Sequence, residues 1–159
     1  MGHPKKQKRK YSKPKLPYQK ERLDKERKIR EMFGLKRKKE IWKMNDKLRE
    51  FRRRARKMQA EDNKKGEKEL LDKLKKTGIL DKKDASLEDV LNLEIKDILK
   101  RRLQSLVFEK KLANTPKQAR QLVVHKHVKV NDRVVDSPGY LVPKNEENTI
   151  ECSQVIKNE

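Results

Sequence analysis

Few residues in this 159-residue chain have the types and spacing for bond-making chemistry. Glu146 and Glu147 pair two carboxylates, an arrangement that can serve general acid–base work. They lie in a polar stretch with no companion histidine, and adjacent loop carboxylates of that kind read as ordinary surface. His125 and His127 could begin a metal site, but two histidines without further ligands do not complete one. Cys152 is the single cysteine, so no intramolecular disulfide and no C-x-x-C metal pair can form. Beside Ile150 it reads as a small core residue. No P-loop, G-x-G-x-x-G, G-x-S-x-G or H-E-x-x-H pattern occurs. The chain therefore reads as a non-enzyme, with no cofactor and no metal.

Phosphate recognition is the chemistry the chain does offer. Arg49, Arg52, Arg53, Arg54, Arg56 and Lys57 crowd into one short stretch. Arginine's planar fork makes paired bonds to phosphate oxygens, and this density exceeds what a solvated helix face needs. A second group mixes basic, amide and hydroxyl side chains: Arg101, Arg102, Gln104, Thr115, Lys117, Gln118, Arg120, Gln121, His125, Lys126 and Asn131. A third, Lys5, Lys6, Lys8, Arg9 and Lys10, sits near the amino terminus. All three groups are candidate contacts to a nucleic-acid backbone.

The elements that must position these groups follow from periodicity. Over residues 38–59, Ile41, Met44, Leu48, Phe51, Ala55 and Met58 recur at steps of three and four, which predicts a helix with the arginines on its far side. Trp42 falls off that stripe and is expected to wedge against a neighbouring helix. Leu70, Leu71 and Leu74 mark another helix, with Lys75 and Lys76 suited to its last turn and Gly78 to its end. Ser86 with Asp89 can cap a short helix. Ile95, Ile98, Leu99, Leu103, Leu106 and Val107 read as one helical face, leaving Lys100, Arg101 and Gln104 off it. Thr115 then caps a helix that starts at Pro116, with Gln118 able to reach back. Ala119, Leu122 and Val123 face inward there, and Lys117, Arg120 and Gln121 outward. Val128–Val130 and Arg133–Val135 flank Asn131-Asp132, a two-residue hairpin turn. A Pro138-Gly139 turn, a polar loop and a strand near residues 149–153 complete the chain.

This last layout resembles the S-four RNA-binding domain. The matching residues are Arg101-Arg102-Leu103-Gln104, Thr115 to Val123, His125-Lys126-His127, Val130-Asn131 and Ser137-Pro138-Gly139-Tyr140. The preceding part is similar to the archaeal branch of the S-four ribosomal-protein family, through Met1-Gly2-His3-Pro4, Pro17-Tyr18, Lys20-Glu21-Arg22-Leu23, Phe33-Gly34-Leu35, Lys39-Glu40-Ile41-Trp42 and Phe51 to Arg56. The chain departs from many relatives in carrying Lys126 and Asp132 where they have glycine. The resemblance implies a structural protein of the small ribosomal subunit that binds 16S ribosomal RNA at a helix junction of its 5′ domain. It also implies a part in assembly and decoding accuracy, and ribosomal protein S five as a neighbour. A free-standing S-four-domain factor acting on ribosomes is the alternative.

Composition points the same way on its own. The chain holds 46 Lys+Arg against 25 Asp+Glu, a net charge of +21. Residues 1–60 hold 25 basic and 7 acidic residues, a net +18, so the charge is concentrated where it favours a polyanion. The expected fold is α+β. A basic extension, 1–20, is disordered until RNA orders it. A helical domain comes next at 21–93, then a small α+β module at 94–153 and a tail at 154–159. No apolar run spans a membrane and no signal peptide opens the chain, so a cytoplasmic protein without homo-oligomers is expected.

Overall fold

The computed structural model describes residues 11–82 and 85–153. Its helices are α1 (Lys20–Met32), α2 (Lys38–Ala60), α3 (Lys64–Lys76), α4 (Leu87–Asn92), α5 (Ile95–Lys100), α6 (Leu103–Glu109) and α7 (Pro116–Val124). The strands are β1 (Val128–Val130), β2 (Arg133–Val134) and β3 (Ile150–Cys152), and a 3-10 turn over Lys144–Thr149 leads into β3. This is the expected α+β architecture. No helix among the described residues is long and apolar enough to cross a membrane.

α2 is the spine of the first half. Its stripe buries Ile41, Met44, Leu48 and Ala55, with Phe51 and Met58 packed at the margin. Leu70, Leu71 and Leu74 of α3, Val90 of α4, and Ile98 and Leu99 of α5 close on it. The Ser86–Asp89 cap forms at α4, where the Ser86 N–H donates to Asp89 at 3.0 Å. Gly78 ends α3 with φ +67°, a left-handed conformation that needs no Cβ.

The second half has its own core. Leu103, Leu106 and Val107 of α6 meet Ala119, Leu122 and Val123 of α7. Val128, Val130, Val142 and Ile150 complete it from the sheet side. The sheet is antiparallel with order β2-β1-β3, and Val130 lies opposite Arg133 on one side and Ile150 on the other. Asn131 and Asp132 turn the hairpin at φ +48° and +61°, the pair of positive values that a two-residue turn of this twist requires. Thr115 caps α7, its Oγ accepting from the Gln118 N–H at 3.2 Å, while Gln118 Oε1 accepts from the Asn114 N–H at 2.8 Å.

Two expectations are corrected. The apolar run from Ile95 to Val107 is not one helix. It breaks at Arg101-Arg102, where the backbone pairs with the incoming strand instead of with the next turn. The Leu103 N–H donates to the Tyr140 carbonyl at 2.8 Å and the Val142 N–H to the Arg101 carbonyl at 3.1 Å. Ile98 and Leu99 therefore belong to the first core, and Leu103 to the second. Ahead of α1, Tyr11 and Ser12 lie against α2, with the Tyr11 ring 5.9 Å from Trp42 and Ser12 donating to Asp46. Second, Glu146 and Glu147 are more than surface. Glu146 accepts from the Tyr140 hydroxyl at 2.7 Å, which holds the phenol's pKa above its usual value, and Glu147 accepts from Arg101.

The backbones of the two halves come into close approach at Gly34. Gly34 has φ +58°, and a Cβ there would stand 2.8 Å from the Pro116 carbonyl carbon and 2.9 Å from the Lys117 nitrogen. Both obstacles are backbone, so neither can step aside. Gly34→Ala is expected to lower stability by about 1–3 kcal/mol through overpacking and left-handed strain. Urea unfolding would measure it, and an unchanged midpoint would contradict this close approach.

Candidate nucleic-acid interface

Glu40, in the first turn of α2, is the joint on which the basic surfaces turn. Its side chain is 18% exposed, and one oxygen, Oε2, accepts from Arg102 Nη2 at 2.7 Å and from Arg120 Nη1 at 3.0 Å. Arg102 precedes α6 and Arg120 lies on α7, so a single carboxylate ties the spine helix to both module helices. Burial opposes its charge and would raise its pKa. The hydrogen bonds and charges of Arg120 and Arg102 outweigh that and hold it below the ordinary 4.5. Gln104 reinforces the joint. Its Nε2 lies 3.0 Å from the Phe33 carbonyl, 3.1 Å from that of Gly34 and 2.8 Å from that of Pro116.

Several candidate contacts are instead engaged within the protein, two of them buried. Gln104 is buried, although it was expected to fall off the apolar face. The break at Arg101-Arg102 rotates the residues beyond it, so spacing counted from Ile95 misplaces them. Arg102 is buried on Glu40. Arg101 is fully engaged: Nε donates to the Thr77 carbonyl at 3.0 Å, Nη1 to Glu147 at 2.8 Å and Nη2 to the Val142 carbonyl at 3.0 Å. Arg120, expected to point out, turns back to Glu40. Arg52 donates to the Leu93 carbonyl at 2.7 Å across the first core. These five arginine and glutamine side chains hold the fold together. Thr115 and Gln118 serve the α7 cap.

The rest of the candidates do face out. On α7, Lys117, Gln121 and His125 are exposed at steps of four, one stripe of the helix. Lys126 comes next, exposed at φ +64°, and Asn131 is exposed in the hairpin turn with its N–H on Thr149 Oγ1 at 3.3 Å. On α2, Arg49, Arg53, Arg54, Arg56 and Lys57 are exposed. Arg49 pairs with Asp46 at 3.4 Å, Arg54 with Glu50, and Lys57 with Glu61 at 3.6 Å. Exposed pairs of this kind are worth little and can be exchanged for phosphate. Lys5, Lys6, Lys8, Arg9 and Lys10 lie outside the described residues. The rings of His125 and His127 stack 6.5 Å apart, and no metal-binding group of three or more ligands occurs among the described residues.

Trp42 takes the wedge position expected of it, its Nε1 donating to Glu26 on α1 at 3.0 Å. Glu40 was missed as a functional residue. The available signal was its place three residues into the helix, where its carboxylate also accepts from the Arg37 N–H at 3.2 Å. That explains a cap but not the two arginines that reach it from the far end of the chain, 62 and 80 residues away.

Comparison with known proteins adds identity to this geometry. Residues 101–148 match the S4 domain family. That match begins where the helical run breaks and the second core takes over. Over 153 residues the chain is 50% identical to the small ribosomal subunit protein uS4 of Methanococcus aeolicus, covering 94% of this chain and 86% of that one. It is 48% identical to its counterpart in Methanococcus vannielii, with the same coverage. For Methanothermobacter thermautotrophicus the figures are 45% identity, 94% and 89%.

Proposed function

We infer that this chain, which belongs to the uS4 family of small ribosomal subunit proteins, is a structural ribosomal protein that binds 16S ribosomal RNA and clamps a helix junction in its 5′ domain. It has no catalytic step to perform. Its work is neutralisation and orientation, which assists subunit assembly and, through a place beside ribosomal protein S five, decoding accuracy. The observation that carries this reading is the Glu40 joint. It fixes the exposed arginines of α2 and the Lys117–Gln121–His125 stripe of α7 in one body. RNA helices hide their base edges in a deep, narrow groove, so a protein selects them by backbone shape. Two basic surfaces held at a set angle suit two RNA helices that leave a junction at a set angle.

A chemical footprint on small-subunit RNA tests this. Protection is expected on two helices that share a junction, and protection confined to one helix would sink the clamp. Binding should also weaken steeply with salt. The logarithm of the affinity should fall about 0.7–0.9 for each phosphate neutralised, per tenfold rise in salt. A flat titration would remove the electrostatic mechanism.

A further inference from the structure

Leu16-Pro17-Tyr18, just ahead of α1, is held in a way that its own packing does not explain. Arg22 Nη2 donates to the Leu16 carbonyl at 3.0 Å and to the Pro17 carbonyl at 2.7 Å. Arg22 Nη1 donates to Glu26 at 2.6 Å, on the same oxygen that receives Trp42 Nε1. Glu26 is buried. An ion pair with its carboxylate buried, backed by an indole, thus anchors the two carbonyls just before Tyr18, and Pro17 further narrows the conformations of the loop. Yet the loop buries little. Leu16 is 68% exposed and Tyr18 90%. Tyr18 occupies the position before the α1 cap residue, Gln19, where an apolar side chain ordinarily packs on the helix four residues in, here Leu23. Its exposure shows that it does not. Exposed lysines surround it in the chain, Lys13, Lys15, Lys20 and Lys25, against exposed Glu21 and Asp24.

We propose that Tyr18 is a stacking platform for an unpaired base of the ribosomal RNA, presented by a loop that Arg22 fixes in advance. The proposal rests on the RNA-binding reading above. An exposed aromatic face flanked by lysines fits a ligand that alternates flat apolar rings with phosphates, and every base offers such a ring. Fixing the loop beforehand lowers the ordering cost on binding. Because Tyr18 touches so little of its own chain, its replacement leaves the fold intact.

The test uses the full chain and small-subunit RNA, with Tyr18→Ala, Tyr18→Leu and Tyr18→Phe compared by affinity, salt slope and melting temperature. Tyr18→Ala should bind about five- to 150-fold more weakly, the span that loss of one stacked ring produces. Tyr18→Leu should lose nearly as much, and Tyr18→Phe should bind within about twofold of wild type, since its ring remains. The salt slope should stay unchanged in all three, because no phosphate contact is lost. Wild-type affinity in Tyr18→Ala would overturn the proposal and leave the RNA-binding reading standing. Wild-type affinity for RNA combined with loss of the variant from assembled subunits would overturn it too, in favour of a protein cover. Failure of the wild type to bind this RNA at all would remove both readings.

Discussion

Glu40→Ala is expected to lower folding stability by about 3 kcal/mol, because it leaves the buried Arg102 guanidinium without its counter-charge. Two cations lose their counter-charge together. Arg102 is the costlier of the two, since its side chain is only 3% exposed and its Nε and Nη1 are already buried without a protein partner. Glu40→Gln keeps an acceptor for both arginines but no charge, and should fall between wild type and alanine. The pH dependence has a definite sign. The folded pKa of Glu40 lies below its ordinary 4.5, so its stabilisation is full above that value and is lost as pH falls through the depressed one. The stability gap between wild type and Glu40→Gln should therefore close on acidification below about pH 4.5. Asp89 is also depressed, by its hydrogen bond from Lys82, but it titrates in both proteins and cancels from the difference. Denaturant midpoints of the pair across pH 3–7 would decide it, and a gap that widens in acid would show that the joint does not stabilise.

What could be seen in the sequence was what short-range periodicity and local caps encode. The α2 stripe, the Ser86 and Thr115 caps, the Asn131-Asp132 turn and the order of elements come from neighbours three to four residues apart. The polarity of individual candidates did not. A three-and-four pattern cannot tell one helix from two that happen to share a phase, and Ile95–Val107 holds two, facing different cores. Once that break is missed, Gln104 lands on the wrong side and Arg101 looks exposed. Charged residues mislead for a second reason. Composition favours solvent for arginine, whereas Arg52, Arg101, Arg102 and Arg120 find carbonyls or carboxylates from sixteen to eighty residues away. Such partners exist only after the fold has formed. Arg53, Arg56, Lys117, Gln121, His125 and Lys126 are exposed as periodicity suggested, and no long-range side-chain partner holds them among the described residues.

That division sets the most informative test of the RNA surface. Lys117 and Lys126 lie at opposite ends of the α7 stripe, both exposed. Arg120, between them, is unsuited to the test because its loss would also open the Glu40 joint. Lys117→Glu with Lys126→Glu should leave thermal stability within about 0.5 kcal/mol, as exposed charge changes usually do. RNA affinity should fall more than about a hundredfold, because each lost charge-assisted bond is worth about 1.5–3 kcal/mol and the new carboxylates repel phosphate as well. The salt slope should flatten by about 0.7–0.9 for each phosphate contact removed. Arg53→Glu with Arg56→Glu should do the same from α2, and combining the two pairs should leave only binding insensitive to RNA sequence and junction. The control is Lys65→Glu with Lys68→Glu on α3, exposed lysines among Glu67, Glu69 and Asp72. Lys82, beside the α4 cap, is no substitute, since it pairs with Asp89 at 2.5 Å. If the α3 pair weakens binding as much as the α7 pair, net charge alone governs affinity and the two-surface clamp is wrong. If only the α2 pair matters, the module docks elsewhere and the Glu40 joint serves stability without setting an angle between RNA helices.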